Sequence, residues 1–143
     1  MAYKTHQGYY NPVNPEKWII TSTSLDKGKI RYRSGWERKF MVWADKNPNV
    51  LEVNSEGVII PYTSPLDGKQ HRYYMDFYIK IRDKNGDIKR KLIEVKPFKE
   101  TKPPSKRSKH YQKQMKTYVV NMAKWEATQK ACAGQADLSF QII

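Results

Sequence analysis

The tetrapeptide Asp83-Lys84-Asn85-Gly86 joins two long runs of strand character, about 72–82 and 87–96. It constrains the fold more than any other feature, because a hairpin turn fixes the register of both strands it joins. Two turns compete. A two-residue type I′ turn on Asn85-Gly86 pairs Lys84 with Asp87. A type I turn over Asp83–Gly86, with Gly86 in the left-handed position, places Asp76 directly opposite Glu94. Asp at the first position and Gly at the fourth favour the second turn. That register also aligns Met75, Phe77, Ile79 and Ile81 with Ile93 and Val95 as one apolar face.

The same register sets a chemical problem. In Glu94-Val95-Lys96 the two-residue strand period puts Glu94 and Lys96 on one face. Asp76 lies between Met75 and Phe77, where a carboxylate is costly unless paired or metal-bound. Side by side, Asp76 and Glu94 repel each other. A divalent cation resolves the conflict, and Mg²⁺ suits a site of few carboxylates that keeps several waters. A salt-bridge ladder on a hairpin surface is the structural alternative.

Ser34 reads as a helix N-cap, with Glu37 as its capping-box partner. Glu37 could equally be a third carboxylate of the acidic site. Trp36, Phe40, Trp43 and Ala44 mark an apolar helical face that Asn47-Pro48 ends. Short extended runs follow at 50–53 and 58–62, with a turn at Pro65, Asp67 and Gly68. A second helix is expected from about 107 to 132, buried along Tyr111, Met115, Tyr118, Val119, Met122 and Trp125, with Gly134 as its stop. Leu138, Phe140 and Ile142 alternate as a last strand. The expected order is a helix, four strands, a helix and a strand.

Residues 1–30 read as an N-terminal arm packing on a body of residues 31–143. Pro12, Pro15, Gly8 and Gly28 punctuate it, Ser and Thr cluster at 21–24, and Tyr3, Tyr9, Tyr10 and Trp18 offer packing surface. No apolar run approaches 18 residues, which excludes a transmembrane helix. One cysteine, Cys132, excludes a disulfide framework and a Cys-rich zinc site. His6, His71 and His110 show no ligand spacing.

Charge points to the partner. The formal net charge is +13, and self-repulsion of that size makes a polyanion the expected partner. Most of the excess lies in residues 80–116. Lys99, Lys102, Lys106, Arg107, Lys109 and Lys113 are the candidate DNA contacts. Three of them crowd the start of a helix, where the dipole disfavours cations unless phosphates sit there too.

Glu37, Asp76 and Glu94-x-Lys96 together resemble the PD-(D/E)xK nuclease signature, with Met75 where that motif has its proline. The flanking segments are more specific: Ser34-Gly-Trp-Glu37, IPYTSPLDGKQHRYYMDFYIK, LIEVKP, TKPP and Asn121-Met-Ala-Lys-Trp125. They resemble the head-completion nucleases of large contractile-tailed phages, relatives of the TnsA N-terminal endonuclease domain. The resemblance implies an α/β, restriction-endonuclease-like αβββαβ core with a mixed central sheet flanked by helices. It implies a metal-dependent DNA endonuclease acting in head completion after genome packaging. Glu37, Asp76, Glu94 and Lys96 are its expected catalytic residues. Asp76, Glu94, the Val95 carbonyl and Glu37 would hold Mg²⁺, with Mn²⁺ as a substitute.

Other partners that follow are head, portal or neck proteins, and a second copy of the chain if both DNA strands are cut at once. The location implied is the host cytoplasm during assembly, and the virion. Two other readings stand beside this one: a non-catalytic DNA-binding structural protein of the head, and a transposase-like nuclease subunit.

Overall fold

The computed structural model describes residues 7–20 and 29–143. Tyr3, His6, Gly28 and the Ser/Thr cluster at 21–24 lie outside the described residues. In chain order the elements are β1 (Gly8–Tyr9), β2 (Arg31–Tyr32), α1 (Gly35–Lys46), β3 (Val50–Ser55), β4 (Ile59–Thr63), β5 (Gln70–Tyr74), β6 (Phe77–Arg82), β7 (Ile88–Glu94), α2 (Tyr111–Cys132) and β8 (Leu138–Ile142). The central sheet runs β3-β6-β7-β8; two ribbons, β1-β2 and β4-β5, stand beside it. β7 and β8 are parallel and the other pairs antiparallel, so the sheet is mixed.

The β6–β7 hairpin takes the type I register, with Phe77 opposite Ile93 and Arg82 opposite Ile88. Gly86 adopts φ +82° and its N–H donates to the Asp83 carbonyl at 3.0 Å. The Asp83 carboxylate also accepts from the N–H groups of Asn85 and Asp87, both at 2.9 Å.

The expected single strand over 72–82 divides at Met75-Asp76, so five strands rather than four separate the helices. The cause is packing. Tyr73 and Met75 join the core beneath α2, with Ile60, Tyr62, Leu92 and Trp125. Phe77 and Ile79 join the core beneath α1, with Phe40, Met41, Val50, Val53 and Ile93. These four residues are all odd-numbered, and one straight strand would point them the same way. The break turns the chain over, which takes Met75 out of the apolar face expected for it. Two bonds hold the crossing: Met75 N–H to the Val58 carbonyl at 2.9 Å, and Glu56 N–H to the Asp76 carbonyl at 3.2 Å.

Helix α1 is also rotated from its expected setting. Phe40, Met41, Ala44 and Asp45 are buried, whereas Trp36 and Trp43 are 61% and 45% exposed. Asp45 sets the rotation. It accepts from Tyr10 Oη at 2.6 Å, the N–H groups of Val13 and Asn14 at 2.7 and 3.0 Å, and Trp18 Nε1 at 3.3 Å. Lys17 Nζ meanwhile donates to the carbonyls of Ala44, Asp45 and Asn47, where a cation also complements the helix dipole. This first segment therefore docks on the C-terminal end of α1. Trp18 forms a bridge with Val53 of β3.

Helix α2 begins at Tyr111, later than expected, after Pro103-Pro104 and two serine-led turns. Its buried line is Asn121, Trp125, Thr128 and Cys132, while Met122 is 44% exposed. Thr128 tolerates burial because its hydroxyl donates to the Lys124 carbonyl at 2.8 Å. The helix ends two residues before Gly134.

Candidate active site

The acidic centre forms where β6 and β7 diverge. β7 ends at Glu94, which is buried. Asp76, in the break before β6, aims its carboxylate across, and Oδ2 accepts from the Val95 N–H at 2.9 Å. The two carboxyls lie close enough for the Glu94 charge to act on Asp76. Glu94 Oε2 accepts a short bond from Tyr73 Oη. Lys96 Nζ stands 3.7 Å from Glu94 Oε1. The structure thus brings together Asp76, Glu94 and Lys96, as the hairpin register requires.

Burial, and after it the Glu94 charge, push the Asp76 carboxyl up to about 8, while the Val95 N–H opposes the rise. Without a further cation, the pair holds a proton at neutral pH. Tyr73 is pushed up strongly, first by burial and then by the Glu94 charge, so its hydroxyl stays a donor.

Glu37 enters from the first turn of α1. Its N–H donates to Ser34 Oγ at 3.2 Å, which is one half of the capping box. Its carboxylate takes the N–H of Arg33 at 3.1 Å, one residue upstream of the cap. Burial, then the charges of Glu56 and Glu94, push the Glu37 carboxyl up, against the pull of that Arg33 bond. Glu37 therefore shares the field of the pair. Among the described residues, however, no three acidic, histidine or cysteine side chains gather closely enough to cage a metal.

Sequence reasoning missed three neighbours. Glu56 is buried at φ +55° and takes a two-pronged contact from Arg33, Nε to Oε1 at 2.7 Å and Nη2 to Oε2 at 3.2 Å. Tyr73 orients Glu94. Lys124, on α2, lies over the rings of Tyr62 and Tyr73 at 5.8 and 5.4 Å. Burial pulls the Lys124 ammonium down, and the Glu94 charge partly restores it. Glu56-Gly57 before a strand, and Lys124 inside the Asn121–Trp125 segment, were the available signals.

A family model for the TnsA-like endonuclease N-terminal domain matches residues 47–143. The chain belongs to the TnsA-like endonucleases. It is also 38% identical over 137 residues to the "Head completion nuclease" of Enterobacteria phage T4, covering 89% of this chain and 88% of that protein. No solved structure matches the chain significantly. The match to the TnsA-like endonuclease domain takes in Asp76, Glu94 and Lys96, but it begins after α1 and so leaves out Glu37.

In this endonuclease domain the basic run leaves the acidic centre directly from β7. Lys99, Lys102, Lys106, Arg107, Lys109 and Lys113 are all exposed. Lys102 Nζ sits 5.2 Å from the ring centre of Phe98, itself 77% exposed. Lys109, Lys113 and Lys116 line an open cavity of about 630 Å³ at the start of α2. That helix has no acidic residue in its first turn, so nothing there repels a phosphate. DNA is the substrate class of such a domain, and this surface is a run of exposed cations.

Proposed function

We propose that this chain is a Mg²⁺-dependent DNA endonuclease of phage head completion, cutting or trimming DNA once the genome is packaged. The observation that carries the reading is the Asp76–Glu94 pair. A structural acid is normally surrounded by donors, but Asp76 is given one backbone N–H and a second carboxyl. An all-oxygen pair that holds an unwanted proton fits a hard divalent cation, with the Val95 carbonyl as the adjacent third oxygen. Such an ion, when bound, relieves charge at the scissile phosphate and acidifies a water.

The chain's own groups supply the rest. Tyr73 fixes Glu94 in place. Lys96, next to Glu94, faces the phosphate or the attacking water. Glu37 adds negative charge from the α1 side, suited to a second cation or to the water it carries. The exposed lysines from Lys99 to Lys113 and Arg107 grip the flanking backbone. We further propose Mn²⁺ as a working substitute, head, portal or neck proteins and a second copy as partners, and the host cytoplasm and then the virion as the place of action.

Plasmid nicking with Mg²⁺, Mn²⁺ or EDTA, run beside calorimetric titration of Mg²⁺, tests this. Wild type should nick with either metal and not in EDTA. Asp76→Ala and Glu94→Ala should lose both nicking and metal binding. Lys96→Ala should keep metal affinity and lose rate. A fully active Asp76→Ala protein overturns the site.

A further inference from the structure

Lys124 differs from the other described lysines in lying over two aromatic rings at once. It projects from α2 toward the acidic centre and is partly buried. Its ammonium rests against two tyrosine rings, those of Tyr62 and Tyr73. It feels the charges of Glu94, Asp76 and Lys96. Yet it forms no ion pair with any described residue: Glu94 is already taken by Lys96 on one oxygen and by Tyr73 on the other.

A cation withdrawn from water without an anion is costly. Two tyrosine faces offset part of that cost. They also hold the long stem in one place. The arrangement therefore keeps a positive charge partly desolvated, oriented and unspent, within the field of the acids. Once a divalent cation neutralises those acids, the lysine charge faces only what approaches from solvent.

We propose that Lys124 is a second phosphate-binding cation of the active site, meeting a DNA phosphate from the helix side while Lys96 meets it from the sheet side. This rests on the nuclease reading and adds to it a contact from α2. Tyr62 and Tyr73 become positioning residues for that contact. The basic run grips DNA away from the reacting bond, whereas Lys124 addresses the phosphate at the acids.

Lys124→Met keeps the stem on the rings and removes the charge; Lys124→Arg keeps the charge. Binding is read with the acids filled, Ca²⁺ at a fixed concentration replacing Mg²⁺, by fluorescence anisotropy of a labelled duplex across a KCl series. Lys124→Met should flatten the log-affinity against log-salt slope by about 0.9, one phosphate contact, and Lys124→Arg should restore it. With Mg²⁺, Lys124→Met should lose about a hundredfold in kcat/KM, with calorimetric Mg²⁺ affinity unchanged.

A wild-type slope together with wild-type nicking in Lys124→Met overturns the proposal. So does a lowered melting temperature with unchanged slope, which is what ring packing alone would give. Should Lys124→Met not fold, Lys124→Gln carries the same two measurements. A wild-type protein that nicks nothing, while Lys124→Met still flattens the slope, overturns the nuclease reading and keeps the phosphate contact.

Discussion

Among the described residues two aspartates are drawn from water, Asp45 fully and Asp76 in part, and they are treated in opposite ways. Asp45 has no exposed surface and is met by four donors, from Tyr10, Val13, Asn14 and Trp18. Burial alone would push its carboxyl up, but those donors together hold it below the usual range. The same contact pushes Tyr10 up to about 12, through burial and then the Asp45 bond. Asp76 receives one backbone N–H and faces Glu94, with Glu37 behind, and is pushed up to about 8. A carboxylate surrounded by donors is a fastener. A carboxylate opposed by another carboxylate carries a charge that its neighbours do not offset. The count and kind of neighbours separate the two cases.

The widest separation between them should be in catalysis. Asp76→Asn should abolish nicking and leave the metal-free fold intact or firmer, because it removes half of a repelling pair. Asp45→Ala should do the reverse. It strands four donors and should cost about 3–5 kcal/mol of stability, read as a lowered melting temperature, while the acidic centre keeps its metal affinity wherever the protein is folded. An Asp76→Asn variant that melts lower than an Asp45→Ala variant would reverse the assignment.

Protonation gives a smaller, signed contrast. The folded protein binds a proton at Asp76 between about pH 4 and about pH 8, while the unfolded chain releases it near 4. Metal-free stability should therefore fall as pH rises across that window and level off above it. Asp76→Asn should flatten the curve. Asp45, depressed in the folded state, contributes stability that is complete above about pH 4 and is lost as pH falls through its folded value. Denaturation curves in EDTA from pH 3 to 9 separate the two limbs.

The exposed cations sharpen the comparison from outside. Lys106, Arg107 and Lys109 are neither fasteners nor strained. Reversing all three should leave melting and Mg²⁺ affinity nearly unchanged, and reduce the salt slope of duplex binding by about 2.7 if each meets a phosphate. The loss should be alike on two unrelated duplexes, since phosphates carry no sequence. An unchanged slope would move the DNA path to Arg31, Arg33, Arg38 and Lys39.

What the sequence disclosed was whatever a local rule controls. Asp83 and Gly86 dictated the turn, the turn dictated the register, and the register placed Asp76 against Glu94. Ser34 capped α1 because one side-chain oxygen suffices. The break at Met75-Asp76 was hidden, because alternation within the strand cannot say that two stretches of it face different cores. The outward turn of Trp36 and Trp43 was hidden too: it depends on Asp45 being tied to residues more than a helix length away in sequence. Glu56, Tyr73 and Lys124 come from three further elements, and only the assembled fold brings them to the pair. Glu37 stays doubly employed, closing the start of α1 while sharing the field of the acids.

The pairing of β8 with β7 has a consequence for the order in which the molecule is made. β8 seals the outer edge of β7, and residue 143 exchanges backbone bonds on both sides of Val95, its N–H to the Glu94 carbonyl at 2.9 Å and its carbonyl from the Lys96 N–H at 3.0 Å. On the ribosome, β7 and its acid emerge long before α2 and β8 exist. Until then the strand carrying Glu94 and Lys96 is a bare edge, open to pairing with the wrong chain. Lys89 and Lys91, which alternate along it, with Arg90 between them, therefore discourage stray strand pairing while the nascent chain waits, and the backbone around Val95 gains its second edge only when β8 has been translated.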